Sequence, residues 1–150
     1  KSEKIIIIKN KLNVFMKKMI FIAIFLILST FVTSAQQTSD KYQKSIQSAD
    51  TQYFQQNYVN AAILYEKAFA ANNNSGMVRD RIKAACCYSQ LKKNDSAFFH
   101  LNRIVKFGFY YDYTKLLEEK KLSNLHQDVR WKQLIEMMKE EDDKLKEMTN

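Results

Sequence analysis

The sequence predicts an all-α protein, a short solenoid of helix–turn–helix units closed by a C-terminal capping helix. Three observations carry this. The 150 residues contain no proline and only two glycines, Gly76 and Gly108. These residues punctuate turns and break helices, so their near absence favours long helices over hairpins. No strand-like alternation follows Gln36, and small and large apolar residues recur with an offset of 36 through two successive helix pairs.

The first element is a targeting segment. Met16-Lys17-Lys18 is a short positive start, Met19 to Leu28 is an unbroken apolar run that Phe31 and Val32 extend, and Thr33-Ser34-Ala35 supplies small residues before Gln36. This order predicts a secretory signal peptide over 16–35 and a mature domain over 36–150. No cysteine follows the cut, which argues against lipid anchoring. The rival is a retained membrane anchor. The apolar run is shorter than the roughly 20 residues that span a bilayer, so no stable anchor is expected after cleavage. Residues 1–15, with Ile5-Ile6-Ile7-Ile8, precede the natural start at Met16. They are expected to be a non-native upstream extension, with an unusually long leader as the alternative. The expected location is the periplasm of a Gram-negative bacterium, or outside the cell.

The exported part then reads as helices. Ser39 or Asp40 is a fair N-cap for a helix reaching about Gln56, Asn57 turns the chain, and Tyr58 to Ala71 forms a second helix. Asn72-Asn73-Asn74-Ser75-Gly76 is the clearest loop. Met77 to Leu91 is a third helix. Asn94-Asp95 caps a fourth, whose Ala97, Leu101, Ile104 and Val105 share one face, and Gly108 is placed to end it in the left-handed conformation. Phe109 to Gln127 reads as short turns around Leu116, Leu117, Leu122 and Leu125. Asp128 caps a last helix with the stripe Trp131, Leu134, Ile135 and Met138. That helix becomes polar beyond the stripe, with Glu140–Lys144 and Asp142–Lys146 spaced as i,i+4 ion pairs. The acidic run Glu140 to Asp143 reads as a solvated face, and Met137, Met138 and Met148 as packing residues.

The repeat gives the architecture. Ala49 pairs with Ala85, Ala61 with Ala97, Tyr65 with Leu101 and Ala68 with Ile104, all in one register. Small residues recur where antiparallel helices come close, and large ones where they fill the space between. The stretch from Ala49 to Ala68, with Ala49, Tyr58, Ala61, Tyr65 and Ala68 at its fixed places, resembles the tetratricopeptide repeat family, whose helix–turn–helix units run about 34 residues. A second unit matches through Ala85, Tyr88, Ala97 and Leu101. Ser45 and Ser48 depart from the pattern, standing where large apolar residues are usual, so loose packing of the first helix is expected. A degenerate third unit, with Lys106-Phe107-Gly108-Phe109 and Asp128-Val129-Arg130-Trp131, resembles the closing segment of secreted bacterial members. The resemblance covers about 40–139.

Catalytic constellations are missing from the pattern. His100 and His126 do not stand at metal-ligand spacing, no Gly-x-Ser-x-Gly elbow occurs, and two glycines cannot build a phosphate-cradling loop. No cofactor is expected. Cys86-Cys87 lies in an oxidising compartment if the chain is exported. Neighbours on a helix point about 100° apart, so a bond between them needs local unwinding. Packing is the plain reading and an intermolecular disulfide the minor one. A cysteine- or histidine-based hydrolase or redox enzyme would require Cys86, Cys87 and His100 to converge on an open cleft.

Charge excludes a further class. The net charge is +8, but residues 1–35 hold six lysines against Glu3, leaving 18 basic and 15 acidic residues beyond. That mixture carries no electrostatic footprint for nucleic acid. What remains is a protein-binding scaffold. By the resemblance, the first helix of each pair lines a concave face that takes a peptide or protein partner. The residues placed there are Gln43, Ile46, Asp50, Tyr53 and Phe54 from one unit and Arg79, Ile82, Cys86, Ser89 and Gln90 from the next. Tyr53 and Phe54 either anchor the partner or pack against the neighbouring helix. Tyr110, Tyr111 and Tyr113 either bind something or seal the solenoid's end. Self-association through an uncovered end is a second way to complete so short an array. The alternative function is an accessory subunit or truncated relative of a larger exported hydrolase or membrane complex.

Overall fold

Without proline, and with glycine only at 76 and 108, little stops a helix except side-chain capping and left-handed turns. The computed structural model describes residues 2–149, with side chains described over 13–25 and 40–149. Among the described residues all regular structure is helical: α1 (Ser2–Phe54), α2 (Tyr58–Ala71), α3 (Val78–Gln90), α4 (Asn94–Gly108), α5 (Tyr113–Glu118), a 3-10 helix (Lys120–Leu125) and α6 (Val129–Thr149). The chain divides into two compact units, Lys1–Asp40 and Lys41–Asn150.

In the first unit, the described apolar side chains of α1, from Val14 and Phe15 through Phe21 to Phe25, are all at least half exposed. The Thr33-Ser34-Ala35 side chains of the expected cleavage site lie outside the described residues. The helix does not begin at Ser39 or Asp40; α1 runs through both, because nothing in the sequence there interrupts it.

In the second unit, antiparallel pairs form where the repeat places them. The residues paired at the offset of 36 share one environment: Ala49, Ala85, Ala61, Ala97, Tyr65, Leu101 and Ala68 are fully buried, and Ile104 is 1% exposed. The turns repeat as well. After α1, Gln56 adopts φ 60°, its amide donates to the Tyr53 carbonyl, and the Asn57 amide reaches the Gln52 carbonyl. After α3, Lys92 adopts φ 57°, its amide donates to the Ser89 carbonyl, and Lys93 reaches the Tyr88 carbonyl. Both are Schellman turns, which satisfy the last carbonyls of a helix. Asn57 then caps α2, its side-chain oxygen accepting from the Asn60 amide at 3.5 Å.

The ends of α4 differ from expectation. Lys93, not Asn94 or Asp95, occupies the N-cap position. Gly108 is helical, and Phe109 takes the left-handed conformation at φ 47°. The glycine serves close approach instead: a Cβ on Gly108 would sit 2.8 Å from Val78 Cγ2, so α4 could not lie this near the start of α3. Gly76 plays a similar part, since a Cβ there would meet the Phe69 ring at 2.4 Å.

The final segment covers the core. Leu116, Leu122 and Leu125 are buried, as is the α6 stripe of Trp131, Leu134, Ile135 and Met138. Leu117 and Met148 are instead exposed; both fall off the buried face of their helices. Asp128 accepts from the Arg130 amide at 3.1 Å and starts α6. On its distal half Lys146 pairs with Asp142 as expected, whereas Lys144 pairs with Glu141 at i,i+3 instead of Glu140.

Candidate functional site

Two polar seams tie α1 and α2 to α3 and α4. In the first, Tyr42 on α1 donates to Asp80 Oδ2 at 2.7 Å and accepts from the Met77 amide at 3.0 Å. Asp80 is fully buried, and Arg79 Nε reaches its other oxygen at 3.0 Å. About two turns along α1, Asp50 accepts from Tyr65 at 2.6 Å and from Lys83 at 2.8 Å. In the second, fully buried His100 lies 3.1 Å from Arg81 through Nδ1 and 2.9 Å from Glu66 through Nε2. Arg81 only donates, so Nδ1 must accept and Nε2 carries the proton toward Glu66. That hydrogen bond is the main reason the Glu66 carboxyl is held below its ordinary value.

These seams orient the first helices of the pairs, and between them opens an apolar groove. It has about 650 Å³ of space and is lined by Tyr53, Phe54, Val78, Arg79, Ile82, Lys83, Tyr110, Glu119 and Lys121. Phe54 is 73% exposed. Lys83 Nζ lies 5.3 Å from the Phe54 ring centre, and Lys121 Nζ lies 5.3 Å from that of Tyr53. Arg79 is paired with Asp80 and Lys83 with Asp50, which leaves Lys121 as the lining cation without a salt bridge among the described residues, with Glu119 as the lining carboxylate.

The sequence expectation divides at this groove. Tyr53, Phe54, Arg79 and Ile82 line it. Asp50 lies just behind, holding Lys83. Gln43 is exposed but outside the lining. Ile46, Cys86 and Ser89 are a correction: they are 2%, 0% and 0% exposed and so cannot touch a partner. Gln90 also departs, because its side chain donates to the Lys121 carbonyl at 2.8 Å. The reason is one element. The 3-10 helix packs on the second half of α3, with Asn124 donating to the Ser89 carbonyl, and it closes the face that a regular next repeat would leave open. The same element brings Glu119 and Lys121, which sequence reasoning missed because the segment has no periodicity. Tyr110 carried a signal as part of the aromatic cluster. Val78 and Lys83 carried one too, at helical spacing from Arg79 and Ile82.

Cys86 and Cys87 are free, adjacent and fully buried. Burial pushes both thiols up to about 12, which opposes the thiolate form that a nucleophile needs. They do not meet His100 in an open cleft, since all three side chains are 0% exposed. Tyr110, Tyr111 and Tyr113 are half-buried and pack against the core. They also line a shallower recess with Asp142, Leu145 and Lys146. Among the described residues no group of His, Cys, Asp and Glu is arranged to hold a metal ion. No family model, curated protein or solved structure matches this chain.

Proposed function

We propose that this chain is an exported, non-enzymatic scaffold of the tetratricopeptide repeat type that binds a peptide or protein partner in the Phe54 groove. The observation that carries the reading is the groove itself. An aromatic ring left 73% exposed at Phe54, beside Ile82 and under two lysines, offers large contact area at low entropy cost. Lys121, which has no salt bridge among the described residues, favours a partner segment with an apolar side chain beside a carboxylate.

Export rests on the order of charge, apolar run and small residues over 16–35. No helix among the described residues is long and apolar enough to cross a membrane.

Crosslinking in the producing cell, followed by identification of the captured protein, tests the scaffold reading. Phe54→Ala together with Lys121→Glu is expected to abolish capture while leaving helix content unchanged. Tyr53 is a poor probe, because it is only 7% exposed and its removal would unsettle the core. Undiminished capture by the folded double variant would sink the groove. The mature mass tests the leader separately: the expected N-terminus is Gln36, and a secreted chain retaining residues 16–35 would contradict it.

A further inference from the structure

We propose that the recess between the start of α3 and the last turns of α4 is a binding site for a phosphate-type oxyanion, held by Arg81 and Arg103. Its walls include Ser75, Gly76, Val78, Arg81, Arg103 and Phe107, and it has about 70 Å³ of space. That is more than one water requires, roughly 10–15 Å³ by the same measure, and too little for a bulky organic group. It shares Val78 with the groove, but its arginines take no part in the groove and the assignment does not depend on it.

The charge arrangement carries the inference. Arg81 is 5% exposed, and its Nη2 donates to the Asn74 carbonyl at 2.6 Å. Arg103, half-buried on α4, donates to the same oxygen at 3.0 Å. Two guanidinium groups thus converge on one neutral acceptor. Neither takes part in a salt bridge among the described residues, and no carboxylate lines the recess. Glu66 makes no hydrogen bond to Arg81 and is bridged to it by His100, and Asp80, in the first turn of α3, is engaged by Tyr42 and Arg79. Buried charge is costly unless it is paired. Burial first, and the nearby Arg103 second, push the Arg81 guanidinium below its ordinary value, against a smaller opposing effect of Glu66.

Donors are also left over. Arg103 Nε is buried without a hydrogen-bond partner, although a guanidinium presents five donors in a fixed fork suited to oxyanions. The Phe69 and Phe107 faces, 4.4 Å from Arg81 and 5.0 Å from Arg103, hold the two groups in place without using those donors. Two converging guanidinium groups match a dianion better than a single carboxylate.

The shared chemistry is a phosphate group, either free or at the end of a small monoester. The test is nitrogen-edited NMR of the full chain in mild non-ionic detergent. It is titrated with inorganic phosphate, with glycerol phosphate, and with chloride at matched ionic strength. Saturable shifts at the Ser75, Gly76 and Val78 amides and at Arg103 Nε–H are expected with phosphate and not with chloride. Saturation by both phosphate probes admits the ester, and saturation by inorganic phosphate alone restricts the site to the free ion. Arg103→Gln is expected to weaken binding about tenfold, or ~1.4 kcal/mol. Ser75→Glu, at an exposed loop position, places a carboxylate beside the arginines and is expected to abolish the phosphate shifts. Phe54→Ala should leave them unchanged. Phosphate shifts no greater than chloride's, or full affinity in folded Ser75→Glu, would overturn the assignment.

Discussion

Tyr42→Phe removes one oxygen and is expected to cost about 2–4 kcal/mol of folding stability. The ring stays buried, so the packing term is nearly constant and the hydroxyl carries the effect. That hydroxyl donates to fully buried Asp80 at 2.7 Å and accepts from the Met77 amide at 3.0 Å. A hydrogen bond to a charged group contributes about 1.5–3 kcal/mol, and the neutral one from the amide about 0.5–1.5. Asp80 would keep only Arg79, whose side chain is 65% exposed and therefore a weak, screened partner. For a folded unit of this size each kcal/mol moves the melting temperature by about 4 °C, so the expected drop is about 8–16 °C. Thermal unfolding followed by far-UV circular dichroism reads it directly. Tyr58→Phe is the control, because the Tyr58 hydroxyl makes no hydrogen bond among the described residues and its change should stay within about 0.5 kcal/mol. Asp80→Asn combined with Tyr42→Phe should cost less than the sum of the two single changes, since both remove the same interaction. A Tyr42→Phe drop under about 2 °C would refute the claim that this seam fixes α1 on α3.

Gly76→Ala is expected to destabilise by about 1–3 kcal/mol in urea unfolding, because its Cβ would enter the buried Phe69 ring. Gly108→Ala should cost less, since a gain in helix propensity of roughly 1 kcal/mol offsets the contact with Val78; equal losses at both sites would contradict this. Alkaline pH gives a further test. Burial first, and Asp80 second, push the Tyr42 phenol up to about 12, and Tyr53, Tyr65 and Tyr88 are raised in the same direction. A folded value above the unfolded one means the stabilisation is complete below about pH 10 and is lost as pH rises toward 12. Stability should therefore be level up to about pH 10 and fall beyond it, whereas full tyrosine ionisation of the native chain near pH 10 would contradict the burial. Cys86 and Cys87 should resist thiol reagents in the folded chain and both react in urea, and fast labelling of either in the native state would show that α3 is not packed as described.

The repeat was legible because it rests on volume alone. Alanine at 49, 61, 85 and 97 marks close helix approach regardless of partner, and all four are fully buried. The boundaries of α2 were legible for a local reason: Asn57 caps its own helix. The end of α4 was misread because glycine can serve either a left-handed turn or a close contact. Only the nearness of Val78 decides which. The site was half legible. Helical spacing put Phe54, Arg79 and Ile82 on one face, but the same spacing also included Cys86 and Ser89. Periodicity says which residues share a face, not which part of that face a later segment covers.

The polar seams were invisible for a related reason. Tyr42 with Asp80, Glu66 with His100, and Arg81 with Arg103 join residues from different helices. No local rule pairs them until the helices have packed.

What the sequence determined by itself is the helical class, the offset of 36 and the α6 stripe. Each follows from backbone propensity and from side-chain volume read at fixed intervals. Tertiary structure alone decided which of those faces stays open. The 3-10 helix, which has no periodic signature, seals the C-terminal half of α3 and leaves the groove at Phe54. The close approach of α4 to α3 brings two arginines to one carbonyl. Burial and charge convergence depend on distances between segments far apart in the chain, and these exist only after the core has formed.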